Sequence, residues 1–187
     1  MRMGKIHYAN MNKKNPIKTL ALINLPRESM EEFLKKNPAF VSGFVDGEGC
    51  FTFYFTKRGK IGLEITPSFS VSQSTRSKEI MLELEKFFQC GGIRKSERDG
   101  TLKYECRKIQ DINKKIIPFI KKYPLYTAKW HDFEIFCYIC SMIARGLHLN
   151  KDGMREIVEL VYQMNDLGKN RKIPKEQFLT ILDKVKV

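Results

Sequence analysis

No run of eighteen or more apolar residues occurs in the 187-residue chain, so no segment is expected to cross a membrane as a helix. Acidic residues are missing from the first 27 positions, and so is serine. A serine-rich amphipathic transit peptide is therefore not indicated, and no secretory signal is expected. Cysteine is scarce and odd in number: Cys50, Cys90, Cys106, Cys137 and Cys140. So few thiols in a chain this long do not suggest a disulfide framework, and a reducing, intracellular setting is the better expectation. Cys137 and Cys140 are spaced like half of a zinc site, but no second pair follows. On one face of an apolar helix they are expected to pack as small hydrophobes.

What the chain has in excess is positive charge. Its formal net charge is +13 and its pI about 9.5. A surplus of this size, with 11% aromatic residues, points to a polyanion partner, although a merely Lys-rich surface would give the same totals. Hydrophobic residues make up 42%, enough for the core of one domain. Residues 1–36 read as a basic arm, carrying Arg2, Lys5, Lys13, Lys14, Lys18 and Arg27. Residues 37–187 read as a single domain.

Asn37 can cap a helix whose first turn holds Pro38. Phe40, Gly43, Phe44 and Gly47 then recur at helical spacing. From Cys50 to Thr56, Phe51, Phe53 and Phe55 alternate with Thr52, Tyr54 and Thr56, the pattern of a half-buried strand. A turn at Lys57 to Lys60 leads to Ile61, Leu63 and Ile65. Pro67 should mark a bend or an edge, after which Phe69 and Val71 alternate with Ser68, Ser70 and Ser72. A second helix with Ile80, Leu84, Phe87 and Phe88 stops at Gly91 and Gly92. A second hairpin spans Ile93–Glu97 and Thr101–Lys108 around Asp99-Gly100. Asp111 is expected to cap the next helix, and the pattern from Thr127 onward is helical. The order αββαββα plus C-terminal helices predicts an α+β fold, an antiparallel sheet with helices packed on one face.

The segment Phe40-Val41-Ser42-Gly43-Phe44-Val45-Asp46-Gly47-Glu48-Gly49 resembles the signature of the LAGLIDADG homing endonucleases. Gly43, Asp46, Gly47, Glu48 and Gly49 match the pattern, Val41 and Ser42 replace the commoner Leu-Ala, and Glu48 stands where many members carry Asp. The physics agrees. Gly43 and Gly47 lie one turn apart, so two helix backbones can approach there. Glu48 and the carbonyl of Gly47 sit at the negative end of the helix and form a hard-oxygen pair suited to Mg²⁺ or Mn²⁺. A bare helix end with solvated Asp46 and Glu48 is the plainer alternative.

The resemblance implies a site-specific, metal-dependent endonuclease of double-stranded DNA that acts as a homodimer, with Ser42, Gly43, Asp46 and Gly47 at the two-fold interface. It places the active-site glutamine at Gln73 and a lysine near the scissile phosphate at Lys129, with Lys121 and Lys122 as competitors. The polar sheet face would enter the major groove. Thr52, Tyr54, Thr56, Ser68 and Ser70 offer contacts from the first hairpin. Arg94, Ser96, Lys103, Glu105 and Arg107 offer them from the second, with arginine suited to guanine and Glu105 to cytosine. Lys57, Arg58, Arg98 and the arm suit phosphates. The resemblance also leaves room for two other roles: an intron RNA maturase, or a DNA-binding protein of the same fold that no longer cuts. It implies an intron- or intein-borne origin in an organelle or a microbial cytoplasm.

Overall fold

The structure, a computed structural model, describes residues 28–58, 62–96, 100–167 and 171–184, and within them not the side chains of Lys57, Arg58, Asp166 and Leu167. Helix α1 (Met30–Lys36) opens it. The expected arm is thus too long at its C-terminal end: Leu34 is buried, and the Phe33 ring meets that of Phe40 edge-on at 5.0 Å. The signal was present in the sequence. Ser29 accepts from the amide of Glu32 at 3.2 Å, the first half of a capping box, with acidic residues in the first turn and lysines in the last.

Helix α2 (Pro38–Glu48) follows at once, with Pro38 in its first turn. Asn37 does not cap it with its side chain; its amide donates back to Phe33 O at 2.9 Å. Strands β1 (Gly49–Arg58) and β2 (Gly62–Ser74) form the first hairpin, with Phe51 opposite Phe69. Helix α3 (Lys78–Phe88) leads to β3 (Gly92–Lys95) and β4 (Thr101–Cys106). The sheet order is β1-β2-β4-β3, antiparallel at every pairing. Pro67 does not break β2. It pairs with Phe53 on β1, while β4 ends opposite Phe69, so the strand has only one neighbour where the proline sits.

Next come α4 (Ile109–Asp111), a π turn over Ile112–Ile116 and α5 (Ile117–Lys122). Strand β4 stops short of Lys108, which takes the N-cap position expected for Asp111. Helix α6 (Lys129–Ala144) and the shorter α7 (Lys151–Val161), α8 (Met164–Leu167) and α9 (Lys175–Lys184) follow.

One sheet face carries the core. Phe51 lies 5.2–5.4 Å from the rings of Phe69, Phe133 and Phe136, and Phe88 stacks on Tyr104. Cys140 is buried there and Cys137 half-buried. No helix among the described residues is long and apolar enough to cross a membrane.

Candidate functional site

The C-terminal end of α2 is built by a close approach. Gly49 has an ordinary extended backbone, so a positive φ is not what requires glycine. A Cβ there would lie 2.5 Å from Val45 O and 2.9 Å from Val45 Cγ1. Only glycine lets the strand leave the helix this abruptly, and that exit puts Glu48 at the corner, exposed. Gly49→Ala is expected to cost roughly 1–3 kcal/mol by overpacking, read as a drop of several degrees in Tm.

Lys129, at the start of α6, reaches this corner. Its Nζ donates to Val45 O and Gly47 O, each at 3.2 Å. Burial pushes its pKa below the ordinary lysine range, with the charges of Asp46, Cys50 and Glu48 pulling the other way. Lys121 and Lys122 are exposed in the last turn of α5. Of the three lysines, Lys129 is the one hydrogen-bonded to the motif.

The approach of Lys129 is fixed by Ser42 and Asp46 of α2. Ser42 is buried and donates to Tyr123 O at 2.6 Å. Asp46 accepts from Tyr126 N (2.8 Å), Thr127 N (3.1 Å) and Thr127 Oγ1 (2.5 Å). These side chains buckle the segment before α6 onto α2. Both side chains therefore make these hydrogen bonds within their own chain. One turn along α6, Asp132 accepts from Asn165 N at 2.9 Å, and Asn165 Nδ2 donates to Phe51 O at 2.8 Å. That bridge ties the helix carrying Lys129 to β1. Nothing in the local sequence marked it.

Gln73 lies on the inner face of β2, half-buried, two residues beyond the Val71–Gly49 pair and so at the same end of the sheet as Glu48. Its Oε1 accepts from Ser74 N at 3.1 Å. Among the described residues it has no hydrogen bond to Glu48 or Lys129.

The opposite face of α2 is open. A Cβ at Gly43 or Gly47 would meet nothing within 4 Å. Phe40 is exposed, and its ring stacks on Phe44. A glycine in a helix costs about 1 kcal/mol relative to alanine, and no packing among the described residues accounts for either one.

The outer sheet face carries the expected polar residues, though not equally displayed. Tyr54, Thr56, Arg94 and Arg107 are exposed, and Thr52, Ser96 and Lys103 are half-buried. Ser68 and Ser70 point outward by strand parity but are buried, which corrects the expectation that they are displayed for contact. The hydroxyl of Ser68 is spent on Glu105 at 2.7 Å. Glu105 is itself surrounded by cations. Burial pushes its carboxyl up, but the hydrogen bonds from Ser68 and Arg107 and the charges of Lys103 and Arg107 outweigh this and hold it below the ordinary carboxylate range. Arg98 and residues 1–27 lie outside the described residues, as do the side chains of Lys57 and Arg58.

No group of three or more His, Cys, Asp or Glu gathers among the described residues. What the corner offers a metal is one carboxylate, Glu48, and the carbonyl of Gly47. These suit Mg²⁺, which keeps several waters and accepts one or two carboxylates together with phosphate oxygens.

The sequence profile of the LAGLIDADG endonucleases matches residues 41–140. A probable intron-encoded endonuclease of Neurospora crassa is 32% identical over 149 residues, 78% of this chain and 32% of that protein. The chain thus spans about a third of that relative's length. The homing endonuclease I-TnaI superposes with a TM-score of 0.67 at 35% identity, covering 79% of this chain and 95% of the other. I-SmaMI, bound to an uncleaved DNA target in the presence of calcium ions, superposes with a TM-score of 0.66 at 29% identity, covering 78% of this chain and 55% of the other. With the motif at a helix end, the lysine beside it and the four-stranded sheet, these likenesses assign the chain to the LAGLIDADG homing endonuclease family.

Proposed function

We propose that the chain is a site-specific endonuclease that cuts both strands of a DNA target as a homodimer, with Mg²⁺ or Mn²⁺ as cofactor. The observation that carries this reading is Lys129 held on Gly47 O, next in sequence to Glu48, at the end of a helix where a Cβ at Gly43 or Gly47 would meet nothing within 4 Å among the described residues. One chain supplies one carboxylate. A second copy docked on the glycine face would bring a second Glu48 to the same axis, and DNA phosphate would add further oxygens.

Held there by Glu48 and Gly47 O, a divalent cation would supply an activated water and neutralise charge on the phosphate. The chain's own groups do the rest. The ammonium of Lys129, aimed by the Asp46 and Ser42 buckle, is poised to stabilise charge developing on the phosphate. Gln73 is placed to orient water. The outer sheet face carries Tyr54, Thr56, Arg94, Lys103 and Arg107 into the major groove. I-SmaMI on its DNA target with calcium supports both duplex DNA and a divalent cation as ligands. The free thiols at all five cysteines go with a reducing, intracellular setting.

The test is selection of cut duplexes from a random-sequence library. With Mg²⁺ a long, pseudo-palindromic consensus is expected, and with Ca²⁺ binding without scission. An intact library in Mg²⁺, from protein that is folded and bound, would remove the nuclease reading.

A further inference from the structure

By residue type Glu105 suits a cytosine, from whose amino group a carboxylate can accept a hydrogen bond. Its surroundings argue otherwise. It sits at the centre of the outer face, opposite Ser70 on β2 and Gly92 on β3. Oε1 accepts from Ser68 Oγ at 2.7 Å and from Tyr54 OH at 3.4 Å, and Lys103 Nζ lies 3.4 Å away. Oε2 takes Arg107 Nε at 2.9 Å and is also bonded to Arg94. A carboxylate has about four lone-pair sites, and here five donors share them. The Glu105 side chain is 6% exposed, against 55% for Arg94 and 46% for Arg107. No acceptor is left for a base, while the flanking guanidiniums are displayed. Arg107 is further fixed over the Tyr54 ring, 4.7 Å from its centroid.

An unpaired arginine loses much rotamer freedom when it docks on guanine, and one held in advance loses less. Three cations packed together without the carboxylate would repel one another and disperse. The carboxylate also competes with DNA phosphate for the same cations, which weakens binding to the wrong sequence.

We propose that Glu105 is a positioning residue that sets sequence discrimination: it holds Arg94, Lys103 and Arg107 in place on the DNA-facing sheet and touches no base itself. The proposal rests on the DNA-reading function above, and its test separates the two. Glu105→Gln keeps an acceptor for Ser68 and removes the charge. Binding of this variant and of the wild type would be measured on the selected target, on targets substituted one base pair at a time, and on unrelated duplex at several salt concentrations.

Affinity for unrelated DNA is expected to rise several-fold, with a salt dependence steeper by up to about one phosphate contact. The ratio of specific to non-specific affinity should fall by roughly tenfold or more. The loss should spread over several base pairs, those read by Arg94 and by Arg107, in both half-sites. Glu105→Asp, which keeps the charge, should recover most of the low non-specific affinity. Loss confined to one base pair would make Glu105 a base contact. Equal weakening on all DNA with a lowered Tm would make it merely structural. No change on any DNA would make it a bystander. Each of these three results overturns the proposal. Should the wild type prefer no sequence at all, the site-specific reading falls, and the rise on unrelated DNA and the steeper salt slope still decide for or against Glu105.

Discussion

Replacing Glu48 with glutamine is expected to slow cleavage by orders of magnitude while leaving the protein on its DNA. Glu48 is exposed at the corner between α2 and β1, so Glu48→Gln removes charge without disturbing the core. The side chain keeps its shape and its capacity to hydrogen-bond, but a neutral amide is a poor ligand for a divalent cation. Scission should fall by roughly two to three orders of magnitude, the scale seen when one group that stabilises transition-state charge is lost. Affinity for the target measured without metal should be unchanged or higher, because a negative charge facing the phosphates has gone. The melting temperature should not move. Strand scission and equilibrium binding on the same purified variant separate the cases: a structural Glu48 would show loss of stability, and a bystander would show normal cutting.

The second large effect is expected from Gly43→Leu. A Cβ built at Gly43 meets nothing within 4 Å among the described residues, so the fold should accept leucine and α2 should gain about 1 kcal/mol in helix propensity. In a dimer packed on this face, the same leucine would force the two helices apart. Sedimentation should therefore show an undiminished monomer with a normal or raised Tm, no pairing on DNA, and cleavage lost. An unaltered dimer in the variant would move the interface away from the Gly43/Gly47 face. A wild-type chain that stays monomeric on and off its target would remove the homodimer itself.

The alternation of Phe51, Phe53 and Phe55 with threonine and tyrosine was enough to read β1 and its buried face, because a strand exposes its two sides in strict turn. The motif was legible for a similar reason: spacing alone brings Gly43 and Gly47 onto one face and leaves Glu48 at the helix end. What the sequence could not show was partnership across long separations. Ser42 and Asp46 look like neighbours of the glycine face, yet they are spent on residues 123–127, some eighty positions away. Glu105, Arg94 and Ser68 share a face by parity, but their contacts depend on the β2–β4 and β3–β4 registers, which two hairpin turns set. Helix α1 is a different case, since Ser29 and Glu32 at capping-box spacing announced it within the span taken for the arm.

Paired copies of this chain are proposed to sever both strands of a chosen site with a divalent cation. The most direct measurement takes a supercoiled plasmid bearing one selected target, incubates it with the purified wild type, and follows the plasmid's topology in Mg²⁺ and in Ca²⁺. Linear plasmid cut at the target is expected in Mg²⁺, and bound, uncut plasmid in Ca²⁺. Plasmid left supercoiled or merely nicked in Mg²⁺, under protein shown to occupy the target, would contradict the proposal.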